Sequence, residues 1–239
     1  MIVAAAICPG PPLLLPGLTG GAFVHDSLRS ACADAAEELV AAEPEVIDVV
    51  AAADRTGTWD PDSQLDPAVF APGPAGPSPS AGRRLARDLP TALASGSWLL
   101  TAAGYEGERI LRSVGSDAVP GECAALGANL AAAPGRRALL VVADGSARRS
   151  RKAPGYLDER SAGFDDAVRR AVQDGDMDAL AAVDPALARE LMAAGRPAWQ
   201  VLAAALEGRK VASEIRYSGA PLGVAYLVAS LRLGGDNDG

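Results

Sequence analysis

Short apolar runs of strand length, separated by helical patterns, constrain the fold of this chain more than any other feature. Three such runs lie at residues 2–8, 45–51 and 137–143. A helical pattern at about 27–42 connects the first run to the second, and Pro44 follows it closely. The order strand, helix, strand predicts a parallel βαβ unit.

The rest of the pattern adds helices and a closing pair of strands. Helices are predicted at 83–94, 121–132, 164–172, 177–183, 185–193 and 197–206, strands at 98–101, 211–217 and 223–231, and a long loop rich in Pro and Gly at 60–80. We expect one α/β domain over residues 1–233, with a central, mostly parallel mixed sheet, helices on both faces and a C-terminal antiparallel strand pair. Residues 234–239 are predicted to form a disordered tail.

Composition excludes several classes of function. The 239-residue chain has a formal net charge of −8, and we expect no nucleic-acid binding because phosphate neutralisation dominates nucleic-acid affinity. The apolar N-terminal segment lacks a preceding Lys or Arg and is interrupted by prolines, which predicts a buried strand and no signal peptide or membrane contact. Cys8, Cys32 and Cys123 are far apart with no CxxC pair, which argues against a disulfide framework and favours a reducing cytoplasm.

Framework residues in several parts of the chain match the pattern of a known family. They are the loop Cys8-Pro9-Gly10-Pro11-Pro12, the run Asp144, Ser146, Pro154, Gly155, Tyr156, Phe164 and Asp165, the turn at 173–176, and the closing residues Tyr217, Gly219, Pro221, Gly223, Val224 and Tyr226. On these residues the chain resembles the LigB-like family of class III extradiol ring-cleavage dioxygenases and its Memo-like relatives. The resemblance spans nearly the whole chain and is weakest between 60 and 121.

The resemblance implies a sheet whose strand ends carry an iron site. In the family, two histidines and one carboxylate hold Fe(II), and a further histidine acts as the acid–base catalyst. The corresponding positions in this chain are Gly10, Ala53 with Asp54, Ala147 and Ala194, and none of them is a histidine.

The histidine count leads to the same expectation without the alignment. The chain has 1 histidine, His25, so it cannot supply two histidine ligands by itself. Carboxylates alone favour Mg²⁺, Ca²⁺ or Mn²⁺. We therefore expect no cofactor, because the Fe(II) of the family is lost, and we assign no catalytic residue. His25 is interpreted as a solvated residue at a helix start, with a titrating base as the alternative.

Polar side chains near the predicted strand ends are the candidate ligand-binding residues. They are Asp54, Arg55, Asp144, Ser146, Arg148 and Arg196. Asp144 is interpreted as a ligand-binding or acid–base carboxylate, or as a turn former. The basic run at 148–152 either binds a carboxylate or phosphate, or is a solvated loop that pairs with Asp158, Glu159 or Asp165.

Two classes of function stay open from the sequence. The first is a catalytically inactive relative of the dioxygenases that binds a small anion or a protein partner in the old active-site crevice, and a homodimer is compatible with it. The second is an enzyme, either metal-independent in the same crevice with Asp144, Asp54 or Ser146 and the nearby arginines, or a residual ring-cleaving oxidoreductase whose ligands come from a partner chain.

Overall fold

The computed structural model describes residues 1–15, 25–60, 63 and 89–234. Its strands are β1 (Ile2–Cys8), β2 (Val46–Ala53), β3 (Gly57–Trp59), β4 (Glu108–Gly115), β5 (Arg137–Val142), β6 (Val211–Gly219) and β7 (Tyr226–Leu233). Its α-helices are α1 (Asp26–Ala41), α2 (Thr91–Ala102), α3 (Pro120–Ala132), α4 (Arg160–Asp174), α5 (Met177–Ala181), α6 (Pro185–Glu190) and α7 (Arg196–Ala205), and a short 3-10 helix, Pro12–Leu14, follows β1.

The strands of these described ranges form one sheet in the order β3-β4-β2-β5-β1-β7-β6. The central strands β4, β2, β5 and β1 are parallel. At one edge β3 runs antiparallel to β4, and at the other β7 runs antiparallel to β1 and pairs with β6. The predicted α/β class, the mostly parallel centre and the C-terminal antiparallel pair are therefore confirmed.

Helices cover both faces of the sheet because its central strands are apolar on both sides. Every residue of β5 is buried. Helices α1 and α2 pack on one face, where the core includes Val49 and Leu140. Helices α3, α4 and α7 pack on the other face, where the core includes Val50 and Leu139. Burial on both faces is typical of the parallel strands of an α/β sheet.

Glycines allow two of these helices to approach their neighbours closely. A Cβ atom on Gly127 of α3 would lie 2.5 Å from the carbonyl oxygen of Val201 in α7. A Cβ atom on Gly96 of α2 would lie 2.6 Å from Val49 Cγ1. Any side chain at either position would separate the packed elements, since a close-packed interior has no spare volume.

The buried carboxylate of Asp48, near the start of β2, accepts hydrogen bonds from two arginines. Asp48 of β2 is fully buried. Its Oδ1 accepts a hydrogen bond from Arg112 Nε at 2.7 Å, and its Oδ2 accepts bonds from Arg137 Nε at 2.9 Å and Nη2 at 2.6 Å. These bonds join β4, β2 and β5 side by side.

Three elements differ from the sequence-based prediction, and one of them is the short edge strand β3 (Gly57–Trp59), which was not predicted. The predicted strand at 98–101 is wrong, because these residues lie in α2, whose Leu99 and Leu100 are buried. Strand β4 was not predicted, because Arg109 and Arg112 interrupt its apolar residues. A short apolar run does not by itself distinguish a buried helix from a strand, and β4 tolerates its arginines because both find polar partners.

Part of the prediction falls on residues that the structure does not describe. Most of the predicted loop at 60–80, residues 83–88 of a predicted helix, and residues 235–239 of the predicted tail are outside the described ranges. Gly234 is described, and its N–H donates to the carbonyl oxygen of Lys210 at 3.1 Å. Within the described ranges, no helix combines the length and the apolar character that crossing a membrane requires.

Candidate functional site

The carboxyl ends of β1 and β5 meet at Gly10 and Asp144. The two strands are parallel neighbours, with Cys8 opposite Val142, so the residues that follow them lie side by side. The Gly10 N–H donates to Asp144 Oδ1 at 2.9 Å. The edge formed by these strand ends is where ligand crevices arise in open α/β sheets.

Gly10, which the resemblance predicts to stand where the extradiol dioxygenases have their first iron ligand, has no room for a side chain. A Cβ atom there would lie 2.8 Å from Val142 Cγ1 and 3.0 Å from the Cα atom of Ala92. The Gly10 carbonyl oxygen also accepts a hydrogen bond from the buried Ser95 Oγ at 3.5 Å. Helix α2 therefore fills the space into which a histidine at this position would project.

The other positions that the resemblance aligns with iron ligands are Ala53 with Asp54, Ala147 and Ala194. Ala53 ends β2, and its carbonyl oxygen accepts hydrogen bonds from the N–H of Ser116 at 2.8 Å and from its Oγ at 2.9 Å. Ala147 is buried, and its N–H donates to the carbonyl oxygen of Leu191 at 3.0 Å. Ala194 is exposed. Of the positions that the resemblance aligns with ligands, only Asp54 carries a side-chain donor, and one carboxylate does not match the two histidines and one carboxylate that hold Fe(II) in such sites.

Asp144 is a half-buried carboxylate with a single hydrogen-bond donor to its side chain in the described ranges. Burial raises its pKa from 3.8 to about 6, and the bond from the Gly10 N–H opposes this rise only in part. The carbonyl oxygen of Asp144 accepts from the N–H of Gly195 at 2.8 Å, which fixes the strand end against the start of α7. A carboxylate with such a pKa exchanges its proton near neutral pH.

Two buried thiols and two tyrosines lie near Asp144 on the face covered by α1. Cys8 and Cys32 are fully buried, and the pKa of Cys32 is raised by its hydrogen bond with Cys8 and by burial. Burial and the nearby charge of Asp144 raise the pKa of Tyr226, and burial raises that of Tyr217. A thiol with a raised pKa is a poor nucleophile, which argues against a nucleophilic role for Cys32.

Ser146 holds the loop after β5 to helix α4. It is fully buried, its N–H donates to Asp165 Oδ1 at 2.8 Å, and its Oγ donates to Asp165 Oδ2 at 2.6 Å. Arg149 Nη1 adds a third bond to Asp165 Oδ2 at 3.0 Å. The side chain of Ser146 is thus directed at Asp165, and this serine fixes the loop.

The basic run divides into paired and unpaired cations. Arg149 pairs with Asp165, as the solvated-loop interpretation predicts, whereas Asp158 pairs with Arg160. Arg148, Arg151 and Lys152 form no ion pair with any residue in the described ranges. Arg148 Nε is buried without a hydrogen-bond partner there, although its charge contributes to the lowered pKa of Asp158.

Arg196 points into the protein. It is 3% exposed, and its Nη1 donates to the carbonyl oxygen of Ala118 and to Gln200 Oε1, the latter at 3.1 Å. Its Nη2 donates to the carbonyl oxygen of Ser116 at 2.9 Å. These bonds connect α7 to the loop between β4 and α3, so Arg196 has a structural role in holding these two parts together.

Asp54 and Arg55 line a separate shallow groove. Both are exposed, and the groove of about 330 Å³ also includes Ser116, Asp117 and Glu122. Arg55 stacks on Trp59, with its Cζ 4.4 Å from the ring centre. The structure therefore does not bring Asp54 and Arg55 together with Arg148, although all of them lie near the carboxyl ends of strands.

His25 precedes α1 as its N-cap residue, without a capping hydrogen bond from its side chain. Its Nε2 is buried and has no hydrogen-bond partner in the part of the chain that the structure describes. The interpretation as a solvated residue is wrong for Nε2, whereas the role of His25 as a base stays a prediction.

Sequence reasoning missed two features of this region. The bonds of Asp165 to Ser146 and Arg149 depend on how α4 lies against the loop that follows β5, which no local pattern shows. Trp199 is 1% exposed, and its Nε1 is a buried donor without a partner in the described ranges. Its burial follows from the apolar face of α7, but nothing in the sequence indicates the missing acceptor.

Comparison with known proteins identifies the fold and no family. The chain matches no protein-family model and no curated protein. It is similar in structure to the uncharacterized protein JW3007 from Escherichia coli K12, with a TM-score of 0.54 over 96% of this chain and 99% of that chain, at 16% sequence identity. At this identity the similarity shows that the two chains share a fold.

Proposed function

We propose that this chain is a divergent relative of the LigB-like extradiol dioxygenases that has lost the iron site and binds a small anion at the carboxyl edge of its sheet. The observation that carries this proposal is the packing around Gly10. Val142 and Ala92 occupy the volume of the missing ligand side chain, so the position is closed as well as substituted. Restoring a histidine would therefore require α2 to move.

Unpaired cations support the choice of an anion. Arg148, Arg151 and Lys152 lie in the loop that follows β5, and none of them has an ion-pair partner in the described ranges. An arginine can bind a carboxylate or phosphate through two parallel hydrogen bonds. The buried Nε of Arg148 needs such an acceptor most, because a buried donor without a partner costs about 1–3 kcal/mol.

Metal content and oxygen uptake test the loss of the iron site. Protein purified from its host should contain no stoichiometric iron by elemental analysis and should consume no oxygen with catechol. Stoichiometric iron together with oxygen uptake would contradict the proposal.

Calorimetric titration with inorganic phosphate tests the anion site. Arg148→Ala should weaken phosphate binding about tenfold, because one charge-assisted contact is lost. Lys210→Ala is the control, since Lys210 is an exposed cation just before β6, at the end of the hairpin away from the turn that contacts the basic loop. Equal losses in the two variants would mean that only net charge matters and that the loop is not a site.

Asp144 favours a second candidate, which is a metal-independent enzyme. With a pKa of about 6, its carboxylate is mostly ionised at pH 7 and is suited to act as a general base. Any turnover at this edge should then decrease as the pH falls through about 6. It should be lost in Asp144→Asn without a decrease in melting temperature, and a decrease in both would indicate a structural role.

A further inference from the structure

Six large apolar side chains are exposed in the described ranges, and four of them surround the basic loop, residues 148–157. Tyr156 and Leu157 end the loop itself, Met192 follows α6, and Leu222 belongs to the turn between β6 and β7. Their exposed fractions lie between 40% and 61%. Exposed apolar groups concentrated in one region are typical of a binding surface, whereas single scattered ones are ordinary.

Contacts of two glycines bring these residues together around the loop. A Cβ atom on Gly155 would lie 2.6 Å from both Arg148 Cγ and Met192 Sδ, so these two side chains lie together against this glycine. On the other side of the loop, a Cβ atom on Gly223, the neighbour of Leu222, would lie 2.6 Å from the Cβ atom of Ala153. The four apolar side chains and the unpaired cations Arg148, Arg151 and Lys152 are called the loop patch.

The backbone of the basic loop is fixed by its own hydrogen bonds. The Gly155 N–H donates to the carbonyl oxygen of Ala147 at 2.9 Å, and the Tyr156 N–H donates to that of Ala153 at 2.9 Å. Tyr156 and Met192 have φ angles of 61° and 55°, a region that residues other than glycine rarely adopt. Strain of this kind clusters at binding sites, and a preorganised surface loses little conformational entropy when a partner binds.

The charges beside the loop determine what kind of partner fits the patch. The three cations of the patch form no ion pair in the described ranges. Nearby carboxylates that are each bonded to another arginine are Asp158, Asp165 and Glu190. Glu159 is exposed and makes no ion pair among the residues that the structure describes. Three unpaired cations therefore outnumber one unpaired carboxylate, which favours an acidic partner.

We infer that the loop patch binds an acidic segment of a partner protein. Side-chain carboxylates of the segment bond to the cations, and a large apolar side chain of the segment packs against the exposed apolar groups. Arginine, tyrosine and methionine, which the patch combines, are enriched in protein interfaces. The inference rests on the proposed anion site and assigns the anion to a polypeptide.

The charge distribution argues against other macromolecules at the patch. A symmetric contact between two copies of this chain would place the patch against itself, so like charges would meet. A nucleic acid or an anionic membrane extends beyond the patch and would also meet the rest of a chain whose net charge is −8. A short acidic segment reaches the cations without approaching that negative surface.

Calorimetric titration of the full chain with three matched peptides tests the inference. The probe is the blocked peptide Glu-Asp-Glu-Phe-Leu-Asp-Glu. One control peptide replaces its acidic residues with Gln and Asn, and the other replaces Phe and Leu with Ser. The probe should bind about tenfold or more tightly than either control, because each control removes one of the two kinds of contact.

Substitutions in the chain separate this inference from the proposed function. Tyr156→Asn removes the exposed ring, and asparagine tolerates the left-handed backbone there, so the fold should be kept. This variant and Leu222→Ser should each weaken peptide binding about tenfold and leave phosphate binding unchanged, since neither removes a cation. Val119→Ser, which replaces an exposed apolar residue outside the patch, is the control and should change neither.

The outcomes that overturn the inference differ from those that overturn the proposed function. Phosphate binding that depends on Arg148, without a preference for the probe over both control peptides, would leave the anion site standing and exclude the polypeptide. Phosphate and probe binding that both ignore Arg148→Ala would exclude the anion site and the inference together.

Three further measurements exclude or reveal the other partners. They are titration with single-stranded oligodeoxythymidylate, cosedimentation with phosphatidylserine vesicles, and sedimentation of the chain alone at increasing concentration. We expect none of them to show an association that Tyr156→Asn abolishes. Such an association in any one of them would overturn the inference and assign the patch to a nucleic acid, a membrane or a second copy.

Discussion

Two aspartates on neighbouring strands of one sheet, Asp48 and Asp144, differ in what surrounds their carboxylates. Asp48, in the amino-terminal half of β2, receives three hydrogen bonds from two arginines. Asp144, at the end of β5, receives one from the N–H of Gly10, and its pKa rises to about 6. A carboxylate whose charge is balanced by bonded arginines holds strands together. A buried carboxylate without such a counter-charge, at the end of a strand, is a candidate for function.

Removing the charge of Asp48 should have the largest effect of the changes considered. Asp48→Asn leaves the guanidinium groups of Arg112 and Arg137 without their counter-ion inside the sheet, and we expect the free energy of unfolding to fall by about 3–5 kcal/mol. Urea denaturation measures this loss. The control is Asp117→Asn, whose exposed pair with Arg189 should change stability by no more than about 1 kcal/mol. Similar losses in both variants would contradict the expectation that the buried charge of Asp48 contributes more to stability than an exposed charge.

Adding a methyl group at Gly10 should have an intermediate effect. Gly10→Ala brings a Cβ atom to within 3.0 Å of Val142 and Ala92, and overpacking of this kind costs about 1–3 kcal/mol. Thermal and urea unfolding measure the loss. Gly163→Ala in α4 is the control, because a Cβ atom there meets nothing within 4 Å. An unchanged stability of Gly10→Ala would mean that α2 can shift at little cost and that the space beside Gly10 can accept a side chain.

Neutralising Asp144 should have a smaller effect of opposite sign. The pKa of Asp144 is raised from 3.8 to about 6 in the folded protein. Its ionisation therefore does not change the free energy of unfolding below about pH 3.8, and it lowers that free energy increasingly as the pH rises to about 6. The pKa change from 3.8 to about 6 corresponds to at most about 3 kcal/mol, and solvent screening of this half-buried carboxylate reduces it. Asp144→Asn should therefore increase the free energy of unfolding by about 1–2 kcal/mol at pH 7.5 and leave it unchanged near pH 3.5. Urea denaturation at both pH values measures the difference, and an increase that does not depend on pH would contradict the role of the charge.

The sequence predicts the layers of this fold better than its polar contacts. The apolar runs at β1, β2 and β5 and the closing hairpin were predicted, because their hydrophobic pattern depends only on local residues. Strand β4 was not predicted, because arginines interrupt its apolar pattern. They fit in the sheet because they bond to partners such as Asp48, which is distant in the sequence. The position of Asp144 at the sheet edge was predicted, but its bond to Gly10 requires β1 and β5 to be neighbours.

The three bonds to Asp165 couple two parts of the molecule mechanically. They tie the backbone and side chain of Ser146, and Arg149, to one carboxylate near the start of α4. A single substitution of Asp165 would therefore release the loop after β5 from α4 at three points at once.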